Sequence, residues 1–387
     1  MKRFTRWSLG VFSAMAVAAL GAGPAPAAEA IKIGFFAPIT GPAAADGASA
    51  RHAVELAAKE INDAGGIKGR KIELVIYDDR LNPQEAVAVA NKLIEKDKVV
   101  GVVSGSYSGP TRVTAPIFAK AGIPMVAGYA VHPDVTKAGD SNFRNGLLGV
   151  VEGAAAAELA VKAFKAKRIA ILSMDNDYGR ELGSGFKQRA EKLGATIVSS
   201  QSYKFPGERE FRPFLTRVKE ANPDLLFACG YYNEGALVTR QAKELGLNVQ
   251  IVGTEGMDSP KFLELAGPAA EGLVIVTTLN RDDPRPHVQN FLKAYRQAYN
   301  LDADMVGASS YDALKILAAA IEKVGTDPKA ITKFITESPG FDTLTGPVRR
   351  FVKGEPIKPV QVQAVREGKF RYHSVIDNPE VITPPQP

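Results

Sequence analysis

Four groups of residues stand where a chain can present chemistry. Residues 104–110 (SGSYSGP) follow an apolar run and precede a segment with helical spacing. Small residues let the backbone approach a ligand, and free N–H groups at a helix start favour an anionic group such as a carboxylate. Ser106 or Ser108 would add a hydroxyl donor, with Tyr107 and Gly109 beside them. The same string also reads as a capping serine in a tight turn, with no ligand. Tyr178 stands between an apolar run and the glycine that opens a helix, Tyr231 and Tyr232 end a second run, and Glu255 ends a third. Aromatic rings with a polar tip suit a pocket wall, although packing between two lobes would use them equally well. A carboxylate shut into a cleft is costly unless paired, so Glu255 implies a donor on a ligand or a nearby Arg or Lys. Arg144 could be a cleft cation or half of an ion pair.

Several chemistries are excluded. The 104–110 loop lacks the glycine spacing and lysine of a phosphate loop. There is no G-x-S-x-G nucleophile elbow and no H-E-x-x-H pair. Four scattered histidines and one cysteine make no zinc spacing, and Cys229 lies in an apolar run as an inert buried thiol. No cofactor, metal or catalytic group is implied, so an enzyme is not expected.

The elements that would position these residues alternate strand and helix. Strands are expected at 31–37, 72–77, 99–103, 123–127, 168–173, 195–203, 225–229, 249–252 and 273–277. Between them lie helical patterns such as 47–62, with apolar residues at Ala50, Ala53, Val54, Ala57, Ala58 and Ile61. Continuous apolar strands alternating with helices imply parallel sheets covered on both faces. Two such blocks imply an α/β protein of two doubly wound lobes. After Asn280 come helices at 286–299, 306–324 and 328–337, then strands near 348–351 and 360–365, which complete the lobes already begun. In open sheets of this kind ligands sit beyond the carboxyl ends of the strands, where the four groups lie.

Lys2, Arg3 and Arg6 precede a nearly apolar stretch, residues 8–23, and small residues follow to Ala30. That is the layout of a cleaved secretory signal over residues 1–28; the competing reading, a membrane anchor, needs about 20 apolar residues. The formal charge of +6 becomes +3 (6 − 3) without those three basic residues. The surplus gives no concentrated basic face for nucleic acid. A soluble, monomeric, periplasmic protein of about 360 residues is expected, enough for two cores. Residues 378–387, with four prolines, read as a loose tail.

The strings KIGFFAPITGP (32–42), EINDAGGIKG (60–69) and YDD (77–79) resemble the leucine/isoleucine/valine-binding proteins, periplasmic receptors of branched-chain amino-acid ABC importers. DYG (177–179), GYY (230–232), GTEG (253–256), GP (346–347) and KPV (358–360) extend the resemblance, in family order, over the chain. It implies two lobes with three crossovers, near Gly149, Asn280 and Thr345. Residues 29–149 and 281–345 would then form one lobe, and 150–280 with 346–377 the other. It also implies a membrane permease as partner. Tyr178, one of Tyr231 and Tyr232, and Glu255 would close over the ligand, with Glu255 taking an ammonium. The loop of Tyr129, Ala130 and Val131 matches the segment that gives a carbonyl and a hydroxyl to the ligand's amino-acid head. Here Val131 replaces the hydroxyl residue, Gly109 occupies a serine position, and Asp46 stands where an aromatic residue is usual. The implied ligand is an amino acid, branched-chain or related. These departures leave an aromatic or other organic acid, or a polar amide, as alternatives. A LacI-like sensor or a receptor domain shares the fold class, but a signal-like segment stands where a DNA-binding head would be.

Overall fold

The computed structural model describes Met1 and residues 29–385. The expected signal segment, 1–28, lies outside the described residues except for Met1. The first sheet is wholly parallel, built from β1 (Ile31–Ala37), β2 (Ile72–Asp78), β3 (Gly101–Ser104), β4 (Met125–Ala127) and β5 (Asn142–Arg144) in the order β2-β1-β3-β4-β5. Successive side chains of β1 leave on opposite faces. Phe36 packs with Leu93, Phe118 and Met125 on one side, while Phe35 joins Ala50, Ala53 and Val54 on the other. Both faces are covered, which is why the strands read as unbroken apolar runs.

The second sheet begins with β6 (Arg168–Asp175), β7 (Thr196–Lys204), β8 (Leu225–Cys229), β9 (Gln250–Gly253) and β10 (Val274–Thr277), all parallel. A hairpin of β11 (Arg350–Val352) and β12 (Glu355–Ile357) stands apart from it. Then β13 (Val360–Arg366) and β14 (Lys369–Ile376) add antiparallel to give the order β14-β13-β10-β9-β8-β6-β7. Cys229 is buried at the end of β8, as its apolar surroundings suggested.

Two details differ from expectation. The chain does not join the second sheet near Thr345. The β11–β12 hairpin first packs against β5, where Arg144 N–H donates to Gly354 O at 2.9 Å, and only at Val360 does the chain enter the second sheet. Nor are residues 378–387 a loose tail throughout. Asn378 caps a short helix, Pro379–Ile382, which packs on the Gly149–Glu158 helix with Val381 and Ile382 buried. The prolines mask two aliphatic side chains that find a groove. Among the described residues no helix is long and apolar enough to cross a membrane.

Candidate functional site

The helices that follow the strands put their first turns at the junction of the lobes. The Ser108–Ala121 helix follows β3, with Tyr107 in the N-cap position and no side-chain cap. The Asp177–Lys192 helix follows β6, capped by Asn176, which accepts from Gly179 N–H at 2.8 Å. The Tyr232–Glu244 helix follows β8, with Tyr231 extended before it. Glu255 opens a single 3₁₀ turn after β9.

These starts enclose a cavity between the lobes. From the first lobe it is lined by Asp46, Tyr107, Ser108, Tyr129, Met305 and Val306, and from the second by Tyr178, Tyr231, Glu255 and Gly256. Its volume is about 10 Å³, room for roughly one water. A wider cavity of about 220 Å³ opens beside it, with Gly109, Asn176, Arg180 and Phe205 on its walls. Another of about 220 Å³ lies away from the cleft residues, lined by Thr136, Lys137, Val352 and Pro384 among others.

The tyrosines form one stack through the cleft. Tyr107 and Tyr231, from opposite lobes, stack with centroids 4.2 Å apart, and Tyr178 tilts on Tyr231 at 4.9 Å. Tyr129 meets Tyr107 edge-on and donates to Gly105 O at 2.6 Å. The Tyr178 hydroxyl donates to Thr254 Oγ1 at 2.9 Å and accepts from Gly256 N–H at 3.1 Å. A side chain at Gly256 would collide here, since a Cβ would lie 2.7 Å from Gly230 O and 3.0 Å from the Tyr178 hydroxyl.

The carboxyls are the site's unsettled groups. Asp46 is 2% exposed; its Oδ2 accepts from the Tyr107 hydroxyl at 2.6 Å, and its Oδ1 has no partner. Burial, reinforced by the neighbouring Asp304, pushes its pKa well above the ordinary range. Glu255 is also 2% exposed, with Oε2 unpartnered, and burial and then the adjacent Glu152 raise its pKa likewise. Glu152 accepts from Glu255 N–H at 2.9 Å through Oε1, leaves Oε2 without a partner, and is pushed by burial up to about 8. Among the described residues, no Lys, Arg or His lines the interlobe cavity; Arg144 and Lys358, outside its lining, lower the Glu255 pKa but by less than burial and Glu152 raise it.

The other expected site residues are distributed differently. Ser108 lines the cavity, but it does not cap its helix: its hydroxyl oxygen accepts from Val131 N–H at 3.0 Å, leaving its proton free to donate. The buried Ser106 lies beside Asp79, outside the cavity lining, and Gly109 sits at the mouth. Ala130 and Val131 are core residues behind the wall, and Val131 acts through the Ser108 bond and its carbonyl, which accepts from Gly149 N–H at 3.0 Å. Tyr232 faces the rim, its hydroxyl 3.4 Å from Pro42 O of the other lobe. Arg144 is half of an ion pair: fully buried, it pairs with Glu355 at 2.8 and 3.0 Å and donates to His132 O at 2.8 Å. Sequence reasoning passed over Glu152, Met305 and Val306. The signal for Glu152 was present, as a lone acid in the apolar string GVVEGAAAA.

The chain matches the periplasmic binding protein family model over residues 30–369. It is 31% identical over 357 residues to the leucine-, isoleucine-, valine-, threonine- and alanine-binding protein of Pseudomonas aeruginosa, covering 92% of this chain and 94% of that one. A leucine binding protein from Thermotoga maritima superposes with a TM-score of 0.83 at 29% identity, covering 90% of this chain and 99% of its own. A Rhodopseudomonas palustris solute-binding protein solved with benzoate shares the fold, with a TM-score of 0.82 at 24% identity and coverage of 89% and 96%. With two doubly wound lobes meeting at a lined cleft and the family's pattern running through nearly all of its length, the chain belongs to the periplasmic binding protein family.

Proposed function

We propose that this protein is the extracytoplasmic receptor of an ABC importer and captures an amino acid in the interlobe cleft, handing it to a membrane permease. One observation carries the choice of ligand class: Glu255 is buried at the cavity with an unpartnered oxygen, and no cation lines that cavity among the described residues. A buried, unpaired carboxylate costs several kcal/mol, and an ammonium from the ligand removes that cost. On the opposite wall the Ser108 hydroxyl and the uncapped start of its helix favour the ligand's carboxylate. The names of the relatives support the same class, whereas an aromatic acid without an ammonium would bring a second negative charge towards Glu255 and Asp46.

Each lobe contributes only part of the lining, and the cavity of about 10 Å³ is too small for an amino acid as it stands. The lobes therefore part to admit ligand and close over it by bending at the crossovers. The lobe assignment we favour groups residues 346–358 with the first lobe, through β5. Calorimetric titration of the purified protein with leucine, alanine, threonine, lysine and benzoate tests the reading. Saturable binding of at least one amino acid, weakened by Glu255→Gln, is expected. Binding of benzoate alone would overturn it.

A further inference from the structure

Recognition of an amino-acid head by Ser108 and Glu255 gives Asp46 no task. Asp46 is nevertheless as buried as Glu255, lines the same cavity from the opposite lobe, and leaves Oδ1 without a partner. Its position is fixed. It lies in the first turn of the Ala44–Asp63 helix, and the next residue, Gly47, is so close to the β1 exit that a Cβ there would sit 2.2 Å from Pro38 O. Tyr107 donates to its other oxygen. The nearest acids are already engaged: Asp304 accepts from Ser49 and from Gly307 N–H, and Asp258 pairs with Arg281. Among the described residues, no basic side chain pairs with Asp46 itself.

We infer that the cleft selects a basic amino acid, whose α-ammonium meets Glu255 and whose side-chain cation meets Asp46. The inference rests on the reading in the preceding subsection and extends it to the side chain. An aliphatic side chain would close against an unpartnered carboxyl, the arrangement that buried polar groups avoid. A cation satisfies it, beside the carboxyl oxygen that already accepts from the Tyr107 hydroxyl. Two acids on opposite walls also make closure depend on a ligand that bridges them.

Calorimetric titration of the wild-type protein, Asp46→Asn and Glu255→Gln with L-ornithine, L-lysine, L-leucine and benzoate tests this. A basic amino acid should bind wild type at least about tenfold more tightly than leucine, about 1.4 kcal/mol. Asp46→Asn should remove that advantage, so that the affinities for the basic amino acid and for leucine fall within about threefold of each other. The wild-type ranking alone decides the matter if Asp46→Asn does not fold. Leucine binding as tightly as ornithine and lysine, weakened by Glu255→Gln and indifferent to Asp46→Asn, overturns this inference and leaves the amino-acid reading intact. Binding of benzoate alone, or of none of the four, overturns both.

Discussion

The molecule buries two sets of charged groups and treats them in opposite ways. At the edge of the first lobe, Arg144 and Glu355 are mutually paired; Arg144 also donates to His132 O, and Glu355 accepts from the Thr136 hydroxyl. Near the crossovers Lys358 donates to Asn145 O at 3.1 Å and to Thr345 Oγ1 at 2.7 Å, beside Asp312, which accepts from the backbone N–H groups of Leu344 and Thr345. In the cleft, Asp46, Glu152 and Glu255 each keep an oxygen with no partner. Apart from Arg144 Nη1, which has no partner, the first set is satisfied within the chain, each charge facing its opposite. The second is incomplete within the chain, which is the expected sign of a binding site.

The largest effect that would break this contrast is on the paired side. Arg144→Met strands Glu355 and should cost about 3–5 kcal/mol of stability in chemical denaturation, whereas Arg144→Met with Glu355→Leu should recover most of it. If the single variant unfolds like wild type, the pair is not the framework element described. On the unpaired side, Glu255→Gln should leave the unfolding midpoint unchanged or raised, since it removes a buried acid. The same variant should weaken the bound amino acid by about two orders of magnitude, roughly 2.7 kcal/mol.

How much of this could be read from the sequence depends on how local the cause is. Strand positions through β10, β5 apart, follow from apolar runs and caps, and helices such as Pro286–Tyr299 match their expected limits. The placement of Tyr178, Tyr231 and Glu255 at one cavity followed from their position after strand ends. What escaped was set at a distance. The three-residue β5 and β12 are too short to show a period, and the Arg144–Glu355 pair that joins them spans 211 positions. Tyr232, next to Tyr231, points to the rim because one step along the chain at a helix start turns a side chain away from its neighbour. The partner of Glu255, Glu152, comes from a helix 103 positions earlier, which no local pattern could supply.

Smaller effects sharpen the comparison. Burial raises the Glu152 pKa from 4.5 to about 8, so the folded chain keeps a proton that the unfolded chain loses. Stability from this group is full below pH 4.5 and is lost as pH rises through about 8. The ligand-free protein should therefore lose stability across that window, and Glu152→Gln should flatten the slope seen in thermal melts at several pH values. An equal slope in both proteins would remove Glu152 from the account. Smallest of all, Tyr232→Phe deletes only a long rim hydrogen bond and should change both stability and affinity by less than about 0.5 kcal/mol. A larger loss of affinity would place Tyr232 inside the site after all.

The central claim is that the acids of the cleft are completed by a cation from the ligand. A crystal structure of the protein with the amino acid selected by calorimetry tests it most directly. The account predicts the ligand's α-ammonium within about 3.2 Å of the Glu255 carboxyl, with Tyr178 and Tyr231 closed over it. A ligand bound in the cleft with only its carboxylate or apolar groups facing Glu255 would contradict it.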